Sequence, residues 1–306
     1  MNFLVILCCL AINYLWLKDF DRFDDGWFFR FRCEIESAFK AKQEQSSASW
    51  VVIAAIIYGV PLVILVAALM LVSEIGFGIP IMVLHILVLL IAFDRTQPGK
   101  LASQFLAYWR EADYEGAKLY LGEELKGGEL DDIKDPSELL DYFSKKLIYR
   151  CFEKMFVMFF WYMVAGPAAV LLSYISYQMR DSHGKDQDPR LVKMVAVSIG
   201  ILEWIPMRLL ALTFSLAGNF VQCFETVKET FWNFSLDHDN AELLYSYSGC
   251  ALAGFTELKD EAKVGLSEQE MDTVNGASRV AALQALLERS QAIWLVVLAL
   301  ITVFGL

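Results

Sequence analysis

Long apolar stretches alternate with polar ones along the 306 residues, and the lengths of the apolar stretches set the first expectation. Trp50 to Val72, Ile75 to Phe93, Phe156 to Met179 and Ala292 to Leu306 are near-continuous apolar runs. Most approach the ~20 residues a helix needs to cross the hydrocarbon core of a bilayer. Glu74 separates the first two, which read as a tight helical hairpin. The N-terminal run, Asn2 to Leu17, is shorter and lacks a basic leading segment and a small-residue cleavage site. It reads as a retained anchor or first span, with an interfacial helix as the alternative. The pattern predicts an all-α, polytopic helical membrane protein with about four to six membrane segments and amphipathic helices between them.

The polar stretches carry the topology signal. In Lys18 to Ser49, Trp27, Phe28, Phe29 and Phe31 stand beside Arg30 and Arg32, a mixture suited to the headgroup layer. Gln43 to Ser49 is a polar breaker before the next run. Asp94 to Lys154 holds ten lysines and arginines, and positive residues mark cytoplasmic loops whatever the acidic count. Within it, Leu101, Phe105, Leu106 and Trp109 follow Pro98 at helical spacing. Asp135-Pro136-Ser137-Glu138 reads as a helix start, with Asp135 as N-cap, and the helix continues through Leu139, Leu140, Phe143 and Leu147 into the span near Phe156. The expected organisation is membrane segments over 1–93, a cytoplasmic helical region over 94–155, membrane segments over 156–224, a helical polar region over 225–290 and a C-terminal membrane helix over 291–306. If Leu191 to Phe224 crosses the bilayer, both polar regions share the cytoplasmic side; if it only dips in, the second is external. Lys228, Lys259, Lys263, Arg279 and Arg289 favour crossing.

Inside that central apolar stretch lies Glu203-Trp204-Ile205-Pro206-Met207-Arg208-Leu209. An ionisable group at membrane depth costs about 2.5–3.5 kcal/mol on insertion scales, so each needs a partner, a water-filled cavity or a function. Ser198, Glu203, Arg208 and Thr213 recur every five residues, which spreads them around a helix; Glu203 and Arg208 point about 140° apart. Pro206 cannot donate to Leu202 and is expected to break the helix there. Three readings fit: an interfacial helix with both charges reaching the headgroups, a buried ion pair, or a ligand site. The candidate site residues are Glu203, Trp204, Pro206 and Arg208.

Composition narrows the classes. Hydrophobic residues are 57% and charged residues 21% of the chain, with a net charge of −11 and a mean hydropathy of +0.44. A chain this acidic lacks the basic footprint that nucleic acid requires. Gly99-Lys100 is followed by Leu101 where a P-loop has Ser or Thr, and no glycine stands five residues upstream. Glu123, Glu124, Glu129, Asp131, Asp132 and Asp135 lack the alternation of an EF-hand and read as a solvated face. His85, His183 and His238 have no ligand-spaced neighbours, the six cysteines show no C-x-x-C, and no protease motif occurs, so no metal site and no catalytic residue are assigned.

Ile201-Leu202-Glu203-Trp204-Ile205-Pro206-Met207-Arg208-Leu209-Leu210, followed by Leu216-Ala217-Gly218, resembles the AmpE family of bacterial inner-membrane proteins. That family's motif reads acidic, Trp, aliphatic, Pro, any residue, Arg, Leu. Phe159-Phe160-Trp161-Tyr162-Met163-Val164-Ala165-Gly166-Pro167 looks like its apolar, glycine-containing span. The resemblance implies a multi-pass inner-membrane regulatory protein linked to β-lactamase induction and cell-wall recycling, with the lipid bilayer and an unidentified small-molecule ligand or signalling partner as its partners. The family is in turn similar to membrane-bound cobinamide-phosphate synthases, which form an amide using ATP and carry Asn-Tyr-Ile-Pro-Ala-Arg-Leu where this chain has its motif. Of the acidic residues those enzymes carry before the matching span, Glu153 is the counterpart here and an accessory candidate. That likeness implies an ATP-dependent synthase as the alternative, and charges at depth beside a broken helix leave a transporter as a second.

Overall fold

The computed structural model describes residues 2–15, 26–42, 49–73, 78–93, 98–125, 130, 133, 135–182, 188–231, 240–253 and 268–304. Every element among the described residues is helical: α1 (Asn2–Leu15), α2 (Gly26–Lys42), α3 (Ser49–Ser73), α4 (Ile79–Ala92), α5 (Pro98–Arg110), α6 (Tyr114–Leu125), α7 (Pro136–Cys151), a π turn (Phe152–Phe156), α8 (Val157–Asp181), α9 (Pro189–Ala217), α10 (Phe220–Phe231), α11 (Asn240–Leu252) and α12 (Glu268–Phe304). Because α7 and α8 join through the π turn, these twelve α-helices make eleven separate ones. The breaker over 43–48, Glu74, His183, His238 and most of the acidic stretch 257–270 lie outside the described residues.

Four helices are long and apolar enough to cross a membrane: Trp50–Ser73, Pro136–Asp181, Pro189–Ala217 and Thr273–Phe304. On α3, Val63, Ile64, Met70 and Leu71 are each more than 60% exposed, the surface a lipid-facing helix presents. Within the run expected over Ile75 to Phe93, the described helix is Ile79–Ala92, 14 residues, about 21 Å. Gly78 in the left-handed region (φ 71°) and Pro80 in the first turn start it late. The last apolar run is the end of the 37-residue α12, about 55 Å long.

The chain forms two compact units. The first comprises 1–95 and 154–206, and in it α8 packs on α1, α3 and α4, while α2 packs on α3. The second comprises 96–153 and 207–306, where α7 packs on α5, α6, α11 and α12, α5 on α12, and α10 on α11. Its core is aromatic: Phe105 stacks on Phe143 with ring centroids 3.9 Å apart and on Trp109 at 5.7 Å. Leu101, Phe105, Leu106 and Trp109 are all buried, as the periodicity of α5 predicts. Asp135 caps α7 by accepting the Ser137 amide at 3.1 Å, with Pro136 in the first turn. Asp188 and Pro189 start α9 in the same way, Asp188 accepting the Arg190 amide at 2.9 Å.

Candidate functional site

The expected break at Pro206 is absent, since α9 runs unbroken from Pro189 to Ala217 with Pro206 inside it. One local contact supports the unbroken helix. The Leu202 carbonyl, robbed of its intrahelical donor by the proline ring nitrogen, accepts the indole N–H of Trp161 at 2.9 Å. The interruption lies in α8, where Gly166 precedes Pro167 and takes φ 71°, ψ −160°. A residue before proline avoids the helical region, and glycine alone adopts this alternative without strain.

Glu203 is wholly buried, and Tyr177 of α8, equally buried, donates its hydroxyl hydrogen to Glu203 Oε1 at 2.8 Å. The Tyr177 ring lies under the Arg180 guanidinium, 5.1 Å from its centre, and Arg180 pairs with Asp181 at 2.8 Å. A carboxylate out of water is tolerated only when hydrogen-bonded, and here the donor comes from the neighbouring helix of the same unit. Ser173, Ser176, Tyr177 and Arg180 share one face of α8 at helical spacing. That polar stripe inside an apolar span is the signal by which Tyr177 is found in the sequence. Ser176 and Ser173 turn their hydroxyls onto Leu172 and Ala169 carbonyls, and Tyr58 of α3 donates to Ser176 at 3.2 Å.

Arg208 belongs to the second unit and does different work. Its Nε donates to the carbonyl of Phe231, the last residue of α10, at 2.7 Å. Three further arginines act alike at helix C-termini. Arg32 Nη1 donates to the Ser182 carbonyl that closes α8 at 2.6 Å, Arg150 to Glu124 O in the last turn of α6 at 3.3 Å, and Arg289 to Ala217 O at the end of α9 at 3.1 Å. Terminal carbonyls lack intrahelical donors and carry the negative end of the helix dipole, so a guanidinium satisfies both needs. Arg32, expected among the headgroups, is 2% exposed and also holds Glu36 at 2.7 Å.

Trp204 is half-buried, Pro206 buried, and Glu153, 5% exposed, sits in the π turn. Ser198 and Thr213 bond back to carbonyls four residues earlier, and the Trp294 indole donates to Thr213 at 3.0 Å.

No curated protein and no solved structure matches the chain. A family model described as regulatory signalling modulator protein AmpE matches residues 6–306. Matched over nearly its whole length and built from several helices fit to cross a bilayer, this multi-pass membrane protein belongs to the AmpE family.

Proposed function

We propose that the protein modulates signalling from the bacterial inner membrane, linking cell-wall recycling to β-lactamase induction, and that the Glu203 to Arg208 stretch of α9 is its working segment. The observation that carries the reading is the family match over 6–306. The geometry adds a local rationale. α9 supplies residues to both compact units, those through Pro206 to the first and those from Met207 to the second. Glu203 is fastened to α8 in the first, and Arg208 to α10 in the second. A change of partner at Glu203 therefore acts on the same helix that carries Arg208.

We place both polar regions, 94–155 and 225–290, in the cytoplasm, with α9 crossing the bilayer. The packing of α11 on α7 and of α12 on α5 supports one side for both, as does the basic content of each region. An unidentified small molecule or signalling protein is the partner in this reading. Deleting the gene in its host and measuring β-lactamase after β-lactam exposure tests it. Altered induction restored by the wild-type gene is expected, and unchanged induction with unchanged muropeptide pools contradicts the reading.

A further inference from the structure

α9 is 29 residues long, about 44 Å, so a ~30 Å hydrocarbon core leaves its ends in the headgroup layers. The C-terminal end carries a mark of that boundary. Arg289 of α12, exposed to solvent, donates to the Ala217 carbonyl that closes α9 at 3.1 Å, and α12 carries no charged residue beyond it, over 290–304. Two apolar helices of the second unit therefore reach the same polar edge together.

From that edge the chain turns directly into α10, with only Gly218 and Asn219 between the helices. The turn is fixed, since the Asn219 amide donates to the Ala251 carbonyl at 2.8 Å and a Cβ on Gly218 would stand 2.3 Å from the same oxygen. At 12 residues, about 18 Å, α10 is too short to cross a bilayer. Cys223 and Val227 form its buried face against α11, with the Cys223 thiol 3.5 Å from the Tyr247 carbonyl oxygen. Beside that face, Phe220 and Phe224 are 49% and 39% exposed and stack on each other at 5.2 Å, and Leu216 in the last turn of α9 is 64% exposed. Glu225 and Glu229, both exposed, lie about 140° around the helix from the two rings, with exposed Lys228 between. An interfacial helix is divided in this way: apolar rings in the acyl boundary, a lysine stem along the border and carboxylates in water.

We propose that α10 lies in the plane of the membrane, with Phe220 and Phe224 inserted into the leaflet at which α9 ends and with Glu225 and Glu229 facing water. The bilayer is the occupant of this face because the span it surrounds ends two residues before Phe220. The inference rests on α9 crossing the membrane, and the test separates the two. Ile201→Cys, Phe220→Cys, Phe224→Cys, Glu225→Cys and Glu229→Cys are each made in the full chain with its native cysteines replaced, spin-labelled and placed in vesicles of phosphatidylcholine and phosphatidylglycerol. Power-saturation EPR with oxygen and a water-soluble nickel chelate then reads depth. Labels at 220 and 224 should lie about 5–10 Å into the headgroup and acyl boundary, those at 225 and 229 in water, and the one at 201, near the middle of α9, deepest. In the unsubstituted chain, a lipid with a diazirine in its acyl chain should leave adducts within 220–224 and none within 225–229. A shallow label at 201 removes the crossing and the proposal with it. A deep label at 201 removes the placement of α10 alone if 220 and 224 lie in water, if all four α10 sites lie in lipid, or if 220 and 224 are closed to both relaxants, as a covering protein would make them.

Discussion

At the scale of single residues, the weight falls on two polar contacts inside the first unit. Replacing Tyr177 by Phe removes the hydroxyl that solvates Glu203 and should cost about 1–3 kcal/mol of stability, read as a lowered unfolding midpoint. Glu203→Gln keeps an acceptor for Tyr177 and should cost less. Trp161 and Pro206 are coupled in a way a double-mutant cycle can read. Trp161→Phe alone orphans the Leu202 carbonyl, whereas in a Pro206→Ala background the restored amide at position 206 meets that need. The coupling should be about 0.5–3 kcal/mol, and additive effects would contradict the contact. In the second unit, burial, with Glu124 adding and Arg150 opposing, pushes the Tyr120 hydroxyl up to about 12. An unfolded tyrosine titrates near ~10. The folded chain therefore holds this proton after the unfolded chain has released it, and stability present below about pH 10 is lost as pH rises towards 12. Tyr120→Phe should flatten that loss in alkaline unfolding curves. Glu203 was legible in the sequence because a carboxylate in an apolar run is conspicuous; its donor, 26 residues away in another helix, was visible only as a polar stripe.

At the scale of elements, the arginines explain more than the apolar pattern does. Four helices end on a guanidinium from elsewhere in the chain, and no local spacing announces such a partner, because a C-terminal carbonyl accepts from any donor that packing delivers. Arg208→Ala should fray α10 and cost about 1–2 kcal/mol, with slowed exchange at its last amides lost, while Arg208→Lys should keep part of the effect. The two proline sites make the complementary lesson. Both stretches contain a proline within an apolar helix, and they differ at the residue before it: glycine at 166 takes a conformation closed to other residues, while isoleucine at 205 stays helical. Gly166→Ala should therefore cost about 1–3 kcal/mol, with no such penalty expected for Ile205→Ala by this route. The start of α7 was legible from Asp135-Pro136 because a cap acts within three residues, and Asp188-Pro189 carries the same local code for α9.

At the scale of the whole molecule, span lengths and helical class follow from the apolar runs, because burial in a bilayer imposes a length that sequence displays directly. The division into two units does not, since α9 and the joined α7 and α8 each contribute to both, and apolar runs contain no mark of where one packing partner replaces another. Sidedness is open to a direct check. With the native cysteines replaced, Glu115→Cys and Lys228→Cys should both resist an impermeant maleimide in intact spheroplasts and react after permeabilisation; labelling of only one before permeabilisation would separate the two polar regions across the bilayer.

Complementation separates a signalling role of Glu203 on α9 from a folding role. In a strain deleted for the gene, β-lactamase induction is measured with wild type and with Glu203→Gln at matched membrane levels. Wild type is expected to restore induction and Glu203→Gln to fail; full restoration by Glu203→Gln would remove Glu203 from the signalling role.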